Sequence, residues 1–251
     1  MVLSMEKWKG KIAVVTGASA GIGVAIVEHL VDHGLKVIGL ARRKERLTDL
    51  EKRLSGKAGS FHGLKVDIGV SDEVIAAFEK IEKDFGPVHI LVNNAGVVYN
   101  TTIMDGNIEQ WKSIFDINVI GLCVATKLAI ASMRKHNIDG HIVHINSTSG
   151  HRIPVFLGTN VYPASKHAVT ALTECLRLEL VDAKSKIKVS SVSPGPTDTE
   201  IFEVSGWHGL TTRGSPFLKP EDIADAVVFV LSTPPHVQVH DMIVKPVGAG
   251  P

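Results

Sequence analysis

Tyr162 and Lys166 are the two side chains whose types and spacing point most directly to catalysis. They are four residues apart at the start of a predicted helix, so they lie on one face of it. An ammonium group nearby and the positive end of the helix dipole both favour a phenolate, which predicts a lowered pKa for Tyr162. A tyrosine of this kind can act as a general acid and base near neutral pH.

Ser147 and Asn118 are two further candidates for this chemistry. Ser147 stands at the predicted carboxyl end of the fifth strand, where open α/β sheets bind their ligands. A hydroxyl there can hold a substrate carbonyl oxygen beside Tyr162, and the Gly-x-Ser-x-Gly elbow of a hydrolase is absent around it. Asn118 lies in an apolar helical pattern, where a buried amide must find partners. A purely structural hydrogen bond is the alternative explanation for Asn118.

A glycine-rich segment follows the first predicted strand and begins the first predicted helix. The free amides and the positive dipole end of a helix N-terminus bind phosphates, and glycines let the pyrophosphate of a dinucleotide approach the backbone. A glycine-rich turn without a ligand is the alternative. The predicted contacts are Gly17, Ala18, Ser19, Ala20, Gly21, Ile22 and Gly23.

Arg42 and Arg43 follow the second predicted strand. Folds that bind NAD(H) usually place a carboxylate at this point to accept bonds from the ribose hydroxyls. Here the carboxylate is missing and two guanidinium groups are present, which suits the 2′-phosphate of NADP(H). The sequence therefore predicts NADP(H) as the cofactor. The alternative is that both arginines only solvate the start of a helix.

Short apolar segments alternate with helical patterns along the whole chain. This alternation predicts an α/β fold with a doubly wound parallel sheet of about seven strands and helices on both faces. We expect a single domain over residues 1–251, with a cofactor half at about 8–135 and a catalytic and substrate half at about 136–251. Its third strand is predicted near residues 64–67. Residues 197–220 lack periodicity and are predicted to form a lid.

Composition and charge exclude several classes of protein. Apolar residues make up 44% of the chain and charged residues 21%, as in soluble globular proteins, and the net charge of +1 does not favour binding to nucleic acid. Two cysteines imply no disulfide framework. The histidines are scattered, which predicts no metal site. Neither a signal peptide nor a membrane span is predicted, and we expect a cytoplasmic protein.

Taken together, the motifs resemble those of the short-chain dehydrogenase/reductase family, and the resemblance covers essentially the whole chain. It implies a Rossmann-type sheet and a homodimer or homotetramer formed through the two long helices. The matching segments are Thr16–Gly23, Asn93–Gly96, Asn118, Ser147, Tyr162 with Lys166, and Ser193–Gly195.

The resemblance implies a role for each of the four candidate catalytic residues. Tyr162 is implied to be the general acid and base, and Lys166 to bind the nicotinamide ribose and lower the pKa of the tyrosine. Ser147 is implied to orient the substrate oxygen, and Asn118 to hold a water in a proton relay. The implied cofactor contacts beyond the glycine-rich segment, Tyr162 and Lys166 are Asp67 and Ile68 at the adenine, Asn94, and Pro194, Gly195, Thr197 and Thr199 near the nicotinamide.

Within the family, segments 5–11, 149–154, 218–222 and 231–234 resemble insect NADP-dependent farnesol dehydrogenases and the related vertebrate carbonyl and ketosteroid reductases. This resemblance implies a small apolar alcohol or carbonyl as substrate, with an isoprenoid alcohol such as farnesol first. The alternatives are a broad carbonyl or ketosteroid reductase and a nucleotide-bound scaffold without turnover. Besides Ser147 and Tyr162, the predicted substrate contacts are His151, Ile153, Phe156, Phe202 and Trp207, although these residues can instead pack on one another or on a second subunit.

Overall fold

A parallel sheet of seven strands runs through the part of the chain that the computed structural model describes, residues 3–154, 158–207 and 216–249. The strand order is β3-β2-β1-β4-β5-β6-β7, and every pairing is parallel. The predicted doubly wound α/β fold is confirmed. The strands are β1 Ile12–Thr16, β2 Lys36–Ala41, β3 Ser60–Lys65, β4 Ile90–Asn93, β5 His141–Ile145, β6 Lys188–Pro194 and β7 Asp241–Val244.

Helices cover both faces of this sheet. Helices α1, α2 and α8 contribute to the core on one face, and α3, α5 and α6 contribute to the core on the other. All five residues of β1 are buried. Strands that are covered on both faces have near-continuous apolar sequences, and β1 is an example. The helices are α1 Gly21–Asp32, α2 Lys44–Arg53, α3 Ser71–Asp84, α4 Ile108–Phe115, α5 Leu122–Lys135, α6 Tyr162–Asp182, α7 Ile201–Val204 and α8 Pro220–Ser232.

The third strand begins earlier than the sequence pattern predicts. It was expected near residues 64–67, whereas β3 begins at Ser60 and pairs with β2 from Lys36↔Ser60 onward. An edge strand is covered less fully, and most of β3 is only half-buried, so its apolar pattern is weak. Gly63 interrupts that pattern further, and a β-carbon there would lie 2.5 Å from Cβ of Leu47 on α2. The glycine is therefore required for the helix to pack on the strand.

Helices α4 and α5 are continuous with each other through a π-helical segment, Asp116–Gly121. The whole segment Ile108–Lys135 is long and apolar enough to cross a membrane if only its length and composition are considered. Half of its apolar window is buried, and α5 packs against α3 and β4. In this structure the segment is a core helix of the sheet.

His141 and His144 are buried in β5, and each has found hydrogen-bond partners within the fold. Burial lowers the pKa of both rings to about 3, so both are neutral. The Nε2 atom of His141 lies 2.9 Å from Ser190 Oγ, and the Nδ1 atom of His144 lies 2.9 Å from Thr173 Oγ1. No group of histidine, cysteine and carboxylate side chains that could hold a metal occurs among the described residues.

Substituting Ile26 with alanine tests the core between α1 and α8. Ile26 is fully buried in the cluster that joins these two helices. We expect Ile26→Ala to lower the free energy of unfolding by ~2–5 kcal/mol, because the cavity adds to the lost burial. The same change at Ile75, which is 39% exposed on α3, should cost about 0.5 kcal/mol or less. Urea titrations of both variants measure the difference, and equal losses would contradict the described core.

Candidate active site

A cleft of about 910 Å³ opens at the carboxyl ends of the strands. It lies where the strand order reverses between β1 and β4, which is the usual ligand site of such sheets. The structure brings most of the predicted site residues to its lining. These are Gly17, Ser19, Ala20, Gly21, Ile22, Arg42, Arg43, Asp67, Ile68, Asn94, Ser147, Tyr162, Lys166, Pro194, Gly195, Thr197, Thr199, Phe202 and Trp207.

The glycine-rich turn after β1 is packed too closely for any larger residue at its key positions. A β-carbon on Gly23 would lie 2.2 Å from the Gly17 carbonyl oxygen, and Gly17 itself has a φ of +69°. Helix α1 then begins without a side-chain cap, so its first amides face the cleft unpaired by a cap. Of the predicted turn contacts, Ala18 and Gly23 are buried behind the turn and do not line the cleft. Their role is to let the backbone close on itself.

Asn94 ties the end of β4 to this turn. Its backbone amide and that of Ala95 both donate to Thr16 Oγ1 at 3.0 Å, and its side-chain Nδ2 donates to the Thr16 carbonyl at 3.0 Å. The Asn94 side chain thus supplies a hydrogen bond to the end of β1 where the backbone pairing between strands has ended. This arrangement fixes the floor of the cleft between the glycine-rich turn and the candidate catalytic residues.

Ser147, Tyr162 and Lys166 meet at the far side of the cleft. The Tyr162 hydroxyl hydrogen-bonds to Ser147, whose Oγ also accepts from the Ser149 amide at 3.1 Å. Lys166 is buried, and its Nζ donates to the Ile145 carbonyl at 3.0 Å. Its ammonium lies 5.9 Å from the centre of the Tyr162 ring. The arrangement places a proton donor and acceptor, an orienting hydroxyl and a cation around one space.

The predicted lowering of the Tyr162 pKa is not found in this structure. Burial raises the pKa of Tyr162, and the hydrogen bond to Ser147 lowers it by less. The predicted lowering requires the Lys166 ammonium to face the phenol. In the structure this ammonium donates a hydrogen bond to the Ile145 carbonyl instead. Burial also lowers the pKa of Lys166 to about 8.

Asn118 does not line the cleft but lies beneath it in the π-helical segment. Its Oδ1 accepts from the Val97 amide at 2.8 Å, and its Nδ2 donates to the Val97 carbonyl at 2.9 Å and to Ser165 Oγ at 3.2 Å. π-Helical turns are frequent at functional sites. The structural hydrogen bond considered from the sequence is therefore present, and the proton relay remains a prediction.

Arg42 and Arg43 stand side by side in the sequence but have different surroundings. Arg42 is exposed and has no hydrogen-bond or ion-pair partner among the described residues. Arg43 donates from Nε to Ser19 Oγ at 3.2 Å and from Nη1 to Glu200 Oε1 at 2.5 Å. The second Glu200 oxygen lies 2.7 Å from Arg46 Nη1. Only Arg42 of the predicted pair is thus free to meet a phosphate without losing a partner.

Two of the predicted substrate contacts, His151 and Ile153, are not brought to the cleft. The Nε2 atom of His151 is 2.9 Å from Ser193 Oγ and 3.1 Å from Asp241 Oδ2, so its ring is held at the β6–β7 side. Ile153 is 67% exposed and does not line the cleft. Phe156 lies outside the described residues. His151 and Ile153 lie in a loop, where no periodic pattern indicates the direction of a side chain. This is why the prediction that they line the substrate site was wrong.

Several lining residues were not predicted, and some of them lie in the segment predicted to form a lid. Glu200 follows Thr199 directly, but nothing local indicates that it reaches back to α2. Phe202 contacts Trp207 and Phe217 edge to face, with ring centres 6.4 and 5.9 Å apart, and so forms an aromatic wall. The missed lining residues include Arg152, Pro154, Glu200, Val204, Pro216 and Lys245.

Comparisons with known proteins agree with this geometry. A family model described as short chain dehydrogenase matches residues 11–206. The chain is 48% identical over 246 residues to the farnesol dehydrogenase of Aedes aegypti, covering 97% of this chain and 99% of that protein. It is 40% identical over 250 residues to dehydrogenase/reductase SDR family member 11 of Bos taurus, covering 96% and 98%. The closed form of a serine dehydrogenase complexed with NADP⁺ superposes with a TM-score of 0.86 at 30% identity, covering 95% and 96%.

Exchanging Tyr162 for phenylalanine tests the proton-transfer role. We expect Tyr162→Phe to reduce turnover ~10²–10⁴-fold, because the group that exchanges a proton with substrate is removed. Cofactor affinity should stay nearly unchanged, since the ring remains. Tyr99→Phe is the matched control: its hydroxyl lies 3.3 Å from Ser113 Oγ, and it does not line the cleft. Near-normal turnover of Tyr162→Phe, or an equal loss in both variants, would rule out the assignment.

Proposed function

The chain belongs to the short-chain dehydrogenase family, as its motifs predicted, and we propose that it is an NADP(H)-dependent oxidoreductase that interconverts an alcohol and a carbonyl on an apolar substrate. The observation that carries the proposal is the meeting of Ser147, Tyr162 and Lys166 in one cleft with the glycine-rich turn. A scaffold without turnover has no use for this catalytic set, which argues against that alternative.

The turn after β1 fits a dinucleotide. Gly17 and Gly23 leave a backbone cradle that any β-carbon would fill, and the first amides of α1 face it. A nicotinamide cofactor held there would accept a hydride from the alcohol carbon, or give one to the carbonyl carbon in the reverse direction. The residues of this chain bind the cofactor, orient the substrate oxygen and exchange its proton.

The proton exchange is assigned to Tyr162. Because burial raises the pKa of Tyr162, its hydroxyl carries a proton at neutral pH, which is the form that donates to a carbonyl oxygen. In the oxidation direction the phenolate accepts the proton from the alcohol. Ser147 Oγ, already bonded to the Tyr162 hydroxyl, would bond the same substrate oxygen. Lys166 would turn from the Ile145 carbonyl toward the nicotinamide ribose and bring its charge toward the phenol.

The proposed substrate is an isoprenoid alcohol such as farnesol or its aldehyde. The lid side of the cleft is apolar, with Ile201, Phe202, Val204 and Trp207 in its lining, and this suits a branched hydrocarbon chain. The name of the Aedes aegypti relative supports farnesol in particular. A broad carbonyl or ketosteroid reductase is the second candidate, because the same apolar lining also suits a steroid ring system.

We further propose that the protein is a homo-oligomer in the cytoplasm. Apolar side chains are exposed along α4, the π-helical segment and α6, where a second copy would cover them; they are Ile108, Phe115, Ile120, Leu178 and Val181. On the other side of α6, Val169 and Leu180 are buried within the protein. Both cysteines are unpaired, which fits a reducing compartment.

A substrate panel with NADP(H) tests the activity. We expect saturable oxidation of farnesol well above that of short alcohols, ketosteroids and aromatic ketones, with the Tyr162→Phe protein as the background. Steroid turnover alone would support the second candidate. Absence of turnover on every alcohol and carbonyl, with NADP(H) bound, would contradict the enzymatic proposal.

Replacing Arg42 with alanine tests the cofactor preference. A hydrogen bond to a charged group contributes ~1.5–3 kcal/mol, so Arg42→Ala should weaken NADP(H) binding roughly 10–150-fold. NAD(H) lacks the phosphate, and its affinity should change little. Adding Ala41→Asp should weaken NADP(H) further and improve NAD(H), since a carboxylate repels the phosphate and accepts bonds from ribose hydroxyls.

Arg53→Ala is the matched control, because Arg53 ends α2 and pairs with Glu28 away from the cleft. Fluorescence titrations of each protein with both cofactors give the dissociation constants. A wild-type preference for NAD(H), or equal weakening of both cofactors by Arg42→Ala, would overturn the assignment of Arg42.

A further inference from the structure

The Glu200 carboxylate lies between two arginines of the cofactor side of the cleft. One of its oxygens is 2.5 Å from Arg43 Nη1, and the other is 2.7 Å from Arg46 Nη1. The pairs are long-range in sequence, since 154 residues separate Arg46 from Glu200. The burial of Glu200 raises the pKa of its carboxyl, but the bonds from Arg46 and Arg43 lower it by more, so the group is charged.

This carboxylate is held beside the place expected for a 2′-phosphate. Arg42, Arg43 and Glu200 line the same cleft, and Arg43 also bonds Ser19 of the glycine-rich turn. The preceding Thr199 is pressed against the turn, because a β-carbon on Gly21 would lie 2.8 Å from its methyl group. These contacts hold Glu200 in place. Its ion-pair partner Arg43 is one of the two arginines predicted to bind the phosphate.

We propose that Glu200 sets cofactor selectivity by competing with the 2′-phosphate of NADP(H) for Arg43. This inference rests on the proposed binding of NADP(H). A phosphate at this point must either displace the carboxylate from Arg43 or lie close to its negative charge, and both alternatives oppose binding. NAD(H) has no group there and meets no competition. Glu200 thus reduces the preference for NADP(H) over NAD(H) that Arg42 creates.

Arg46 has the opposite effect within the same group of charges. It holds the second Glu200 oxygen and neutralises part of its charge. Without Arg46, the carboxylate would have Arg43 as its one remaining ion-pair partner among the described residues and would compete with the phosphate more strongly. Glu200 and Arg46 therefore act on NADP(H) affinity with opposite signs, although they form one ion pair.

A latch that only holds the lid closed would behave differently. If the ion pairs merely tied α7 to α2, then removing either partner would loosen the lid. Both changes would weaken NADP(H) and NAD(H) together. The sign of the change in each variant therefore separates selectivity from simple closure.

The experiment compares Glu200→Gln with Arg46→Gln by equilibrium titration with each cofactor, without turnover. Glu200→Gln should tighten NADP(H) by about threefold to thirtyfold, less than a full charged hydrogen bond, because the side chains are partly exposed and water screens them. Arg46→Gln should weaken NADP(H) by about the same factor. NAD(H) should change less than about twofold in both, and high salt should reduce the differences.

Glu203→Gln is the matched control, since Glu203 is an exposed carboxylate on α7, shortly after Glu200, and does not line the cleft. It should leave both dissociation constants unchanged. If the wild type prefers NADP(H) but Glu200→Gln binds NADP(H) equally well or more weakly, the proposed role of Glu200 is overturned and the proposed cofactor is not. A wild-type preference for NAD(H) overturns the proposed cofactor and this inference together.

Discussion

The approach of α1 to the end of β1 is the contact on which the rest of the cleft depends. The Gly23 α-carbon comes so near the Gly17 carbonyl oxygen that no side chain fits between them. Asn94 then bonds the Thr16 and Gly17 carbonyls and sets where β4 leaves the sheet. Thr199 is also close to this turn, since a β-carbon on Gly21 would lie 2.8 Å from its methyl group. The glycines of the turn thus allow the close approach of α1, of Asn94 after β4 and of Thr199.

Burial of charge is the second constraint. Lys166 is almost fully buried, and the one hydrogen bond found for its ammonium goes to a backbone carbonyl. A buried cation with so little compensation is costly, which the fall of its pKa to about 8 reflects. The ribose hydroxyls of a dinucleotide would offer Lys166 the acceptors that the protein alone lacks. Under the proposed function, a bound cofactor would therefore supply the hydrogen-bond acceptors that the Lys166 ammonium lacks.

The parts of the site that could be read from the sequence are those with a local signal. The glycine spacing and the pairing of Tyr162 with Lys166 depend on residues close together in one turn or helix, and the structure brings them to the cleft as expected. The ion pairs of Glu200 could not be read, because they join a loop to a helix more than a hundred residues earlier. The direction of the His151 ring depends on Asp241, a partner that is also far away in sequence. The pKa of Tyr162 was misjudged for the same reason, since the local spacing does not show where the ammonium points.

The side chain of Asn118 has a consequence for which residues this position tolerates. By accepting from the Val97 amide and donating to its carbonyl, it presents to the loop the same two groups that a neighbouring strand would present. A helix thereby replaces one peptide unit of a missing strand. Aspartate would keep the acceptor but lose the donor, and leucine would lose both. A carboxamide suits this position because it offers the same donor and acceptor as a peptide unit. This requirement holds whether or not Asn118 takes part in proton transfer.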